Sequence, residues 1–151
     1  MEEAKQQKLV RFGGITGHHD PAVIAAGLRR YPFDVTLVAL NAADKHHPHP
    51  FAPTVLPVAQ TRRVGVVAMK VPAYGRLFSS GALAGMHQAM GYTLSLPEVH
   101  CCVIAAETVA QLEHNVTIAR AFKPLMESEM AAIEQRTATT WQENTFFRNW
   151  T

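Results

Sequence analysis

The hydrophobic positions of the chain fall into four short runs, and each run is followed by a segment with helix signals. The runs are Leu9–Thr16, Val35–Leu40, Val64–Val71 and Cys101–Ala105. The last three are nearly continuous in apolar residues and do not alternate with polar ones, which is typical of strands covered on both faces. The pattern therefore predicts a parallel α/β sheet with helices over both faces.

Helix signals separate these runs. Asp20 and Pro21 form a helix start, with an N-cap carboxylate followed by a proline in the first turn, and Thr108 with Gln111 forms a capping box. Further helices are predicted after Thr54, around residues 83–94 and from Ser128 to Arg136. In parallel α/β folds the chemistry lies where strands end and helices begin. The candidate loops are therefore Gly17–Asp20, Asn41–Pro53, Pro72–Gly81 and Ala106–Glu107.

Composition limits the classes of protein to consider. The 151 residues fit one domain or part of a larger one. Charged residues make up 17%, below the usual share of about 25%, which suggests that some surface is normally covered by something else. The net charge of +2 comes from dispersed Lys and Arg, so no nucleic-acid partner is expected. No apolar run approaches the ~20 residues of a membrane span, so we expect no membrane partner. Cys101 and Cys102 are expected to be buried, reduced thiols of a cytoplasmic protein.

Lys70 and Arg76 form the stronger candidate site. Lys70 lies at the end of the third run and Arg76 in the loop after it, and the helix start at Thr108 follows the next run, so a cation and exposed helix N–H groups meet at neighbouring strand ends. Such groups hold phosphate. The alternative from the residues alone is that Lys70 extends into solvent from a strand end and Arg76 is a solvated loop residue.

Eight histidines raise a metal hypothesis. His18 and His19 with Lys70 would suit a metal-dependent barrel hydrolase. A second candidate ligand set lies in the next loop, with His46, His47 and His49 close to Asp44. However, the loop histidines are interrupted by prolines, whereas catalytic ligands usually project from rigid elements. We therefore expect polar loop histidines and no metal site.

Three motifs together resemble aldo/keto reductases. They are R-F-x-G-I-T-G-H at 11–18, L-P-V-A-Q at 56–60 and Q-L-E-x-N-V at 111–116, and the similarity extends from Lys8 to Arg136. The resemblance implies the C-terminal half of a (β/α)8 TIM barrel, with four parallel βα units, a C-terminal helix and strands adjacent in the order 1-2-3-4. It divides the chain into a partial barrel domain at 1–136 and a C-terminal tail at 137–151.

The resemblance also implies NADP or NAD as hydride donor to a small carbonyl substrate. In that family the catalytic Asp, Tyr, Lys and His come from the first four units, so no residue of this chain is expected to be catalytic and the isolated chain is expected to be inactive. A half-barrel has two open edges, which predicts self-association or pairing with the other half. The remaining alternative is a non-catalytic half-barrel module.

Cofactor contacts follow from the resemblance position by position. Family positions near the carboxamide, diphosphate and adenosine groups of the dinucleotide fall at Thr16, Gly17, Lys70, Gln111 and Asn115. Arg76 is added from its place beside Lys70. The family's usual residues are replaced by Leu37 on the second strand and by Met69 on the third.

Overall fold

The computed structural model describes residues 1–150. Four parallel strands within them form one sheet. The strands are β1 (Gly14–Gly17), β2 (Val35–Ala39), β3 (Gly65–Met69) and β4 (Cys101–Cys102). They are hydrogen-bonded in the order β1-β2-β3-β4, with Gly14 opposite Val35 and Val35 opposite Gly65. The predicted parallel sheet and its strand order are confirmed.

Helices separate the strands along the chain. They are α1 (Glu2–Gln6), α2 (Pro21–Arg30), α3 (Phe51–Arg62), α4 (Arg76–Ser79), α5 (Met86–Ser95), α6 (Val109–Arg120), α7 (Glu127–Thr137) and α8 (Trp141–Asn144). Short 3-10 turns lie at Asp44–His46, Ala73–Gly75 and Phe146–Asn149. No helix within residues 1–150 is long and apolar enough to cross a membrane.

Only one face of the two central strands, β2 and β3, is fully buried. Val38 and Val66 are inaccessible to solvent and belong to the same core as Leu28 of α2, and each such side chain contributes roughly 1.5–3 kcal/mol. Leu37 and Val67, which point to the opposite face, are half-buried. The prediction that helices cover both faces is therefore wrong. In a parallel barrel the helices cover the outer face, and the inner face packs against the opposite wall.

β1 forms one open edge of the sheet. Of the predicted run Leu9–Thr16, only the part from Gly14 onward is a strand, and Leu9 and Phe12 are 73% and 65% exposed. Hydropathy identified apolar residues here, but nothing within residues 1–150 buries them. This edge therefore presents both unpaired ladder groups and apolar side chains.

β4 forms the other open edge, and α6 follows it along the chain and packs against α5. The strand is only two residues long, and α6 has no buried residue. Val109, Leu112 and Val116 form an apolar stripe along α6, yet all three are exposed. The two edges of the sheet thus carry similar unpartnered apolar surface.

The two cysteines depart from expectation because β4 is an edge. Both thiols are free, but Cys101 is exposed and Cys102 is half-buried. Burial raises the pKa of the Cys102 thiol to about 12. The prediction of two buried thiols is therefore wrong for Cys101.

α3 begins earlier than the sequence suggested. Phe51 rather than Thr54 opens the helix, because the Asp44 carboxylate accepts the N–H of Phe51 at 2.7 Å. Thr54 instead donates its hydroxyl to the Pro50 carbonyl at 2.9 Å. The histidine-rich segment is consequently shorter than the predicted loop and is held at a buried carboxylate.

Residues 141–150, which we call the aromatic strap, lie against the loops that follow β1, β2 and β3. Asn144 and Phe147 are fully buried, and Arg148 is nearly so. Trp150 packs edge-on to His18 after β1, with ring centroids 6.2 Å apart. The strap therefore closes much of the carboxyl end of the sheet and leaves the β3–β4 side open.

Candidate functional site

A cavity of about 760 Å³ opens at the carboxyl ends of β3 and β4. One wall is the loop after β3, and the other is the start of α6. Its lining residues are Met69, Lys70, Pro72, Tyr74, Gly75, Phe78, Ala84, Gly85, Met86, Val103, Ile104, Ala105, Glu107, Gln111, His114 and Asn115. This volume is within the range of small-molecule and cofactor sites.

Lys70 supplies the only full positive charge among the residues that line the cavity. Its ammonium contacts the Tyr74 hydroxyl and lies 4.4 Å from the centroid of that ring and 4.9 Å from that of Trp150. Its carbonyl accepts a hydrogen bond from the Asn41 amide at 3.0 Å. Lys70 is therefore held at the strand end by aromatic faces and by its backbone, which differs from a lysine extending freely into solvent.

The loop that carries Lys70 has an unusual backbone. Lys70, Ala73 and Tyr74 have φ values of 61°, 47° and 59°, in the left-handed region that favours glycine. Each such residue costs on the order of 1 kcal/mol or more and persists only where its surroundings fix it. The Ala73 N–H donates to the Lys70 carbonyl at 2.9 Å and so closes a tight turn. The turn brings the Tyr74 ring back over the lysine.

α6 supplies the opposite, polar wall. Gln111, His114 and Asn115 lie on one side of the helix because residues three and four apart share a face. The predicted N-cap is present, since Thr108 Oγ1 accepts the Gln111 N–H at 3.2 Å. The Gln111 side-chain oxygen accepts the Glu107 N–H at 2.7 Å, so the group that Gln111 can offer a ligand is its amide nitrogen.

Three of the six predicted cofactor residues meet in this cavity, namely Lys70, Gln111 and Asn115. Arg76 does not line it. Its guanidinium stacks 3.9 Å from the centroid of Phe146 and donates to the Glu143 carbonyl at 3.4 Å. Arg76 thus binds the aromatic strap to α4, and its predicted role with phosphate stays a prediction.

Thr16 and Gly17 lie on β1, which β2 separates from the cavity strands. Thr16 Oγ1 donates to the Leu37 carbonyl at 2.9 Å. The structure does not bring these two residues together with Lys70, and their predicted cofactor contact also stays a prediction.

The histidines do not gather around a common point. Within residues 1–150 there is no group of three or more His, Cys, Asp or Glu side chains placed to hold a metal ion. His19 contacts the Arg148 carbonyl, and burial lowers the pKa of His47. The geometry required by the hydrolase alternative, with His18 and His19 beside Lys70, is therefore not supplied by the described residues.

A buried ion pair, which the sequence analysis did not find, fixes the aromatic strap. The Asp44 carboxylate and the Arg148 guanidinium are 2% and 3% exposed and contact each other directly. Arg148 also donates to the carbonyls of His19 at 3.0 Å and His49 at 2.7 Å and lies 4.5 Å from the Phe51 ring centroid. Burial raises the pKa of Asp44 to about 6, against the opposing effects of the Phe51 N–H and of Arg148.

Comparison with solved structures identifies the fold. The aldo-keto reductase AKR11C1 from Bacillus halodurans, in its holo form, superposes with a TM-score of 0.72 at 22% identity over 89% of this chain and 53% of that chain. Its apo form gives 0.71 at 21% identity over 89% and 54%. Aldose reductase from Giardia lamblia gives 0.62 at 17% identity over 89% and 47%.

The match is one of structure. No protein-family model matches the chain, and no curated protein sequence matches it either. The chain spans about half the length of the solved structures to which it is similar. Residues 1–150, with their four adjacent parallel strands and alternating helices, therefore have the fold of about half of an aldo-keto reductase barrel.

Proposed function

We propose that this chain is the dinucleotide-binding part of an NAD(P)H-dependent oxidoreductase of the aldo-keto reductase type, which reduces small carbonyl substrates. One observation carries the proposal: Lys70 faces the amide and imidazole groups of α6 across a cavity at the carboxyl ends of parallel strands. That is the position in which α/β barrels bind phosphate-containing ligands.

The residues present fit a dinucleotide. The Lys70 ammonium can neutralise a diphosphate, and Gln111 and Asn115 can donate to sugar and base oxygen or nitrogen atoms. The bound cofactor would supply the hydride. This chain's own residues would bind and orient the cofactor, and the proton donor would come from the complementary half of the barrel.

The test of binding is a fluorescence titration of the purified chain with NADPH and with NADH. We expect saturable binding that Lys70→Met weakens roughly 10- to 100-fold, because a charge-assisted phosphate contact contributes about 1.5–3 kcal/mol. Methionine retains the apolar stem against Tyr74 and Trp150. The matched control is Lys123→Met, an exposed lysine that does not line the cavity, and it should bind like the wild type.

Two outcomes would oppose the proposal. The absence of saturable binding by either nucleotide would contradict the dinucleotide site. Equal affinity in the Lys70→Met variant and the wild type would contradict the role of the lysine. An aldehyde-reduction assay complements the titration. We expect no turnover from the chain alone, and turnover would place the proton donor among these residues.

The open edges support self-association of the isolated chain when the complementary half of the barrel is absent. Two copies would supply eight parallel strands, with β4 and α6 of one copy beside β1 of the other, and would cover the apolar side chains at both edges. We expect sedimentation velocity to show a dimer that Leu112→Lys dissociates. Gln60→Lys is the control, because Gln60 is exposed on α3, the helix that connects the two central strands β2 and β3. A monomeric wild type would exclude this arrangement.

A further inference from the structure

The charges that line the cavity bear on which dinucleotide it accepts. Lys70 is on the β3 side, and Glu107 is on the α6 side. Among the lining residues Lys70 is the only Lys or Arg and Glu107 is the only Asp or Glu, so these two side-chain charges cancel. A bound diphosphate would therefore be neutralised by Lys70, and these residues offer no second cation for a further phosphate group.

The place of Glu107 determines which part of a ligand it meets. It directly precedes the N-cap Thr108, and its N–H is tied to the Gln111 side chain, so it is fixed to the start of α6. Gln111 and Asn115 on the same wall suit the uncharged hydroxyl and ring-nitrogen groups of a nucleoside. A diphosphate bound at Lys70 would leave its attached ribose within the same cavity, whose α6 wall begins next to Glu107.

We infer that Glu107 makes the cavity select a dinucleotide with a free ribose 2′-hydroxyl, NAD(H), over its 2′-phosphorylated form, NADP(H). This inference rests on the proposed dinucleotide site. A carboxylate accepts hydrogen bonds from ribose hydroxyls, as acidic residues do in other dinucleotide folds. The same carboxylate repels a 2′-phosphate, which adds nearly two negative charges.

The expected size of the preference follows from Coulomb's law. A dianionic phosphate about 5 Å from an exposed carboxylate in water is destabilised enough to weaken binding about tenfold. Because Glu107 is exposed, salt should screen the repulsion, and the preference for NADH should shrink between about 0.05 M and 1 M ionic strength.

The experiment measures the affinities of NADH and NADPH by fluorescence titration at pH 8, above the ordinary pKa of imidazole groups. We expect the wild type to bind NADH about tenfold more tightly, Glu107→Gln to bring the two affinities within about twofold, and Glu107→Arg to reverse the preference. Glu113→Gln is the control, since Glu113 is an exposed residue of the same helix that does not line the cavity.

The results of this experiment distinguish a failure of the role of Glu107 from a failure of the proposed dinucleotide site. Tighter binding of NADPH by the wild type, or an unchanged ratio in Glu107→Gln, would overturn the role of Glu107 while leaving the dinucleotide site in place. If neither nucleotide binds, the proposed function fails and this inference fails with it.

Discussion

Replacing Arg148 by methionine should destabilise the protein strongly at neutral pH. The guanidinium is 3% exposed, and its removal leaves the Asp44 carboxylate, 2% exposed, without its counter-ion. Breaking such a pair from one side typically costs about 3–5 kcal/mol. The methionine can still pack against Phe51, so the loss is mainly electrostatic and should show in the free energy of unfolding at pH 7.

Lowering the pH should restore part of the stability that Arg148→Met loses. Asp44 already has its pKa raised to about 6 by burial, and without Arg148 that pKa should rise further. The variant should therefore recover stability between pH 7 and pH 5, because protonation removes the unpaired charge at about 1.4 kcal/mol per pH unit. Asp44→Asn combined with Arg148→Met should be more stable at pH 7 than Arg148→Met alone.

Urea denaturation monitored by tryptophan fluorescence and by circular dichroism measures these effects. Both tryptophans, Trp141 and Trp150, lie in the aromatic strap, so fluorescence reports its release and circular dichroism reports the helices. The control is Arg120→Met, an exposed arginine of α6 that should change stability by less than about 0.5 kcal/mol. A loss below about 1 kcal/mol in Arg148→Met, or a double variant no more stable than it, would refute the reasoning.

Three further predictions concern single groups. Burial raises the pKa of Asp44 in the folded state from 3.8 to about 6, so this carboxyl should stabilise the protein below pH 4 by up to about 3 kcal/mol. That contribution should be lost as the pH rises through 6, and urea denaturation of the wild type and of Asp44→Asn from pH 4 to 7 should show the difference. Thr108→Ala should cost about 1 kcal/mol in the same assay by removing an N-cap, whereas Thr117→Ala, inside the same helix, should not destabilise. Iodoacetamide should label Cys101 much faster than Cys102 at pH 8, as measured by mass spectrometry, since burial holds Cys102 in its thiol form; equal rates would contradict this.

The sheet was accessible from the sequence because its signals are local. Runs such as Val35–Leu40 identify buried strands, and Thr108 identifies the start of α6 through an offset of three residues. The place of Lys70 at a cavity followed from the same logic, since it directly succeeds a strand. Each inference depends on neighbours within one or two turns of the chain.

The remaining features depend on distant partners. Asp44 and Arg148 are 104 residues apart, and nothing in their local sequences distinguishes them from solvated charges. The aromatic residues of the strap, at 141, 146, 147 and 150, follow no helical or strand period. Leu9 and Phe12 were found by hydropathy but are exposed, because hydropathy identifies apolar side chains without telling whether the same chain buries them.

The long separation of Asp44 and Arg148 also sets an order of assembly during synthesis. At about 5–20 residues per second, a ribosome needs on the order of 5–20 s to add the 104 residues between the two positions. During that interval β1 to β3 can pair, but Asp44 has no guanidinium to neutralise it and remains hydrated. The carboxyl end of the sheet therefore closes late, and a nascent chain halted before residue 148 would expose it to chaperones and proteases.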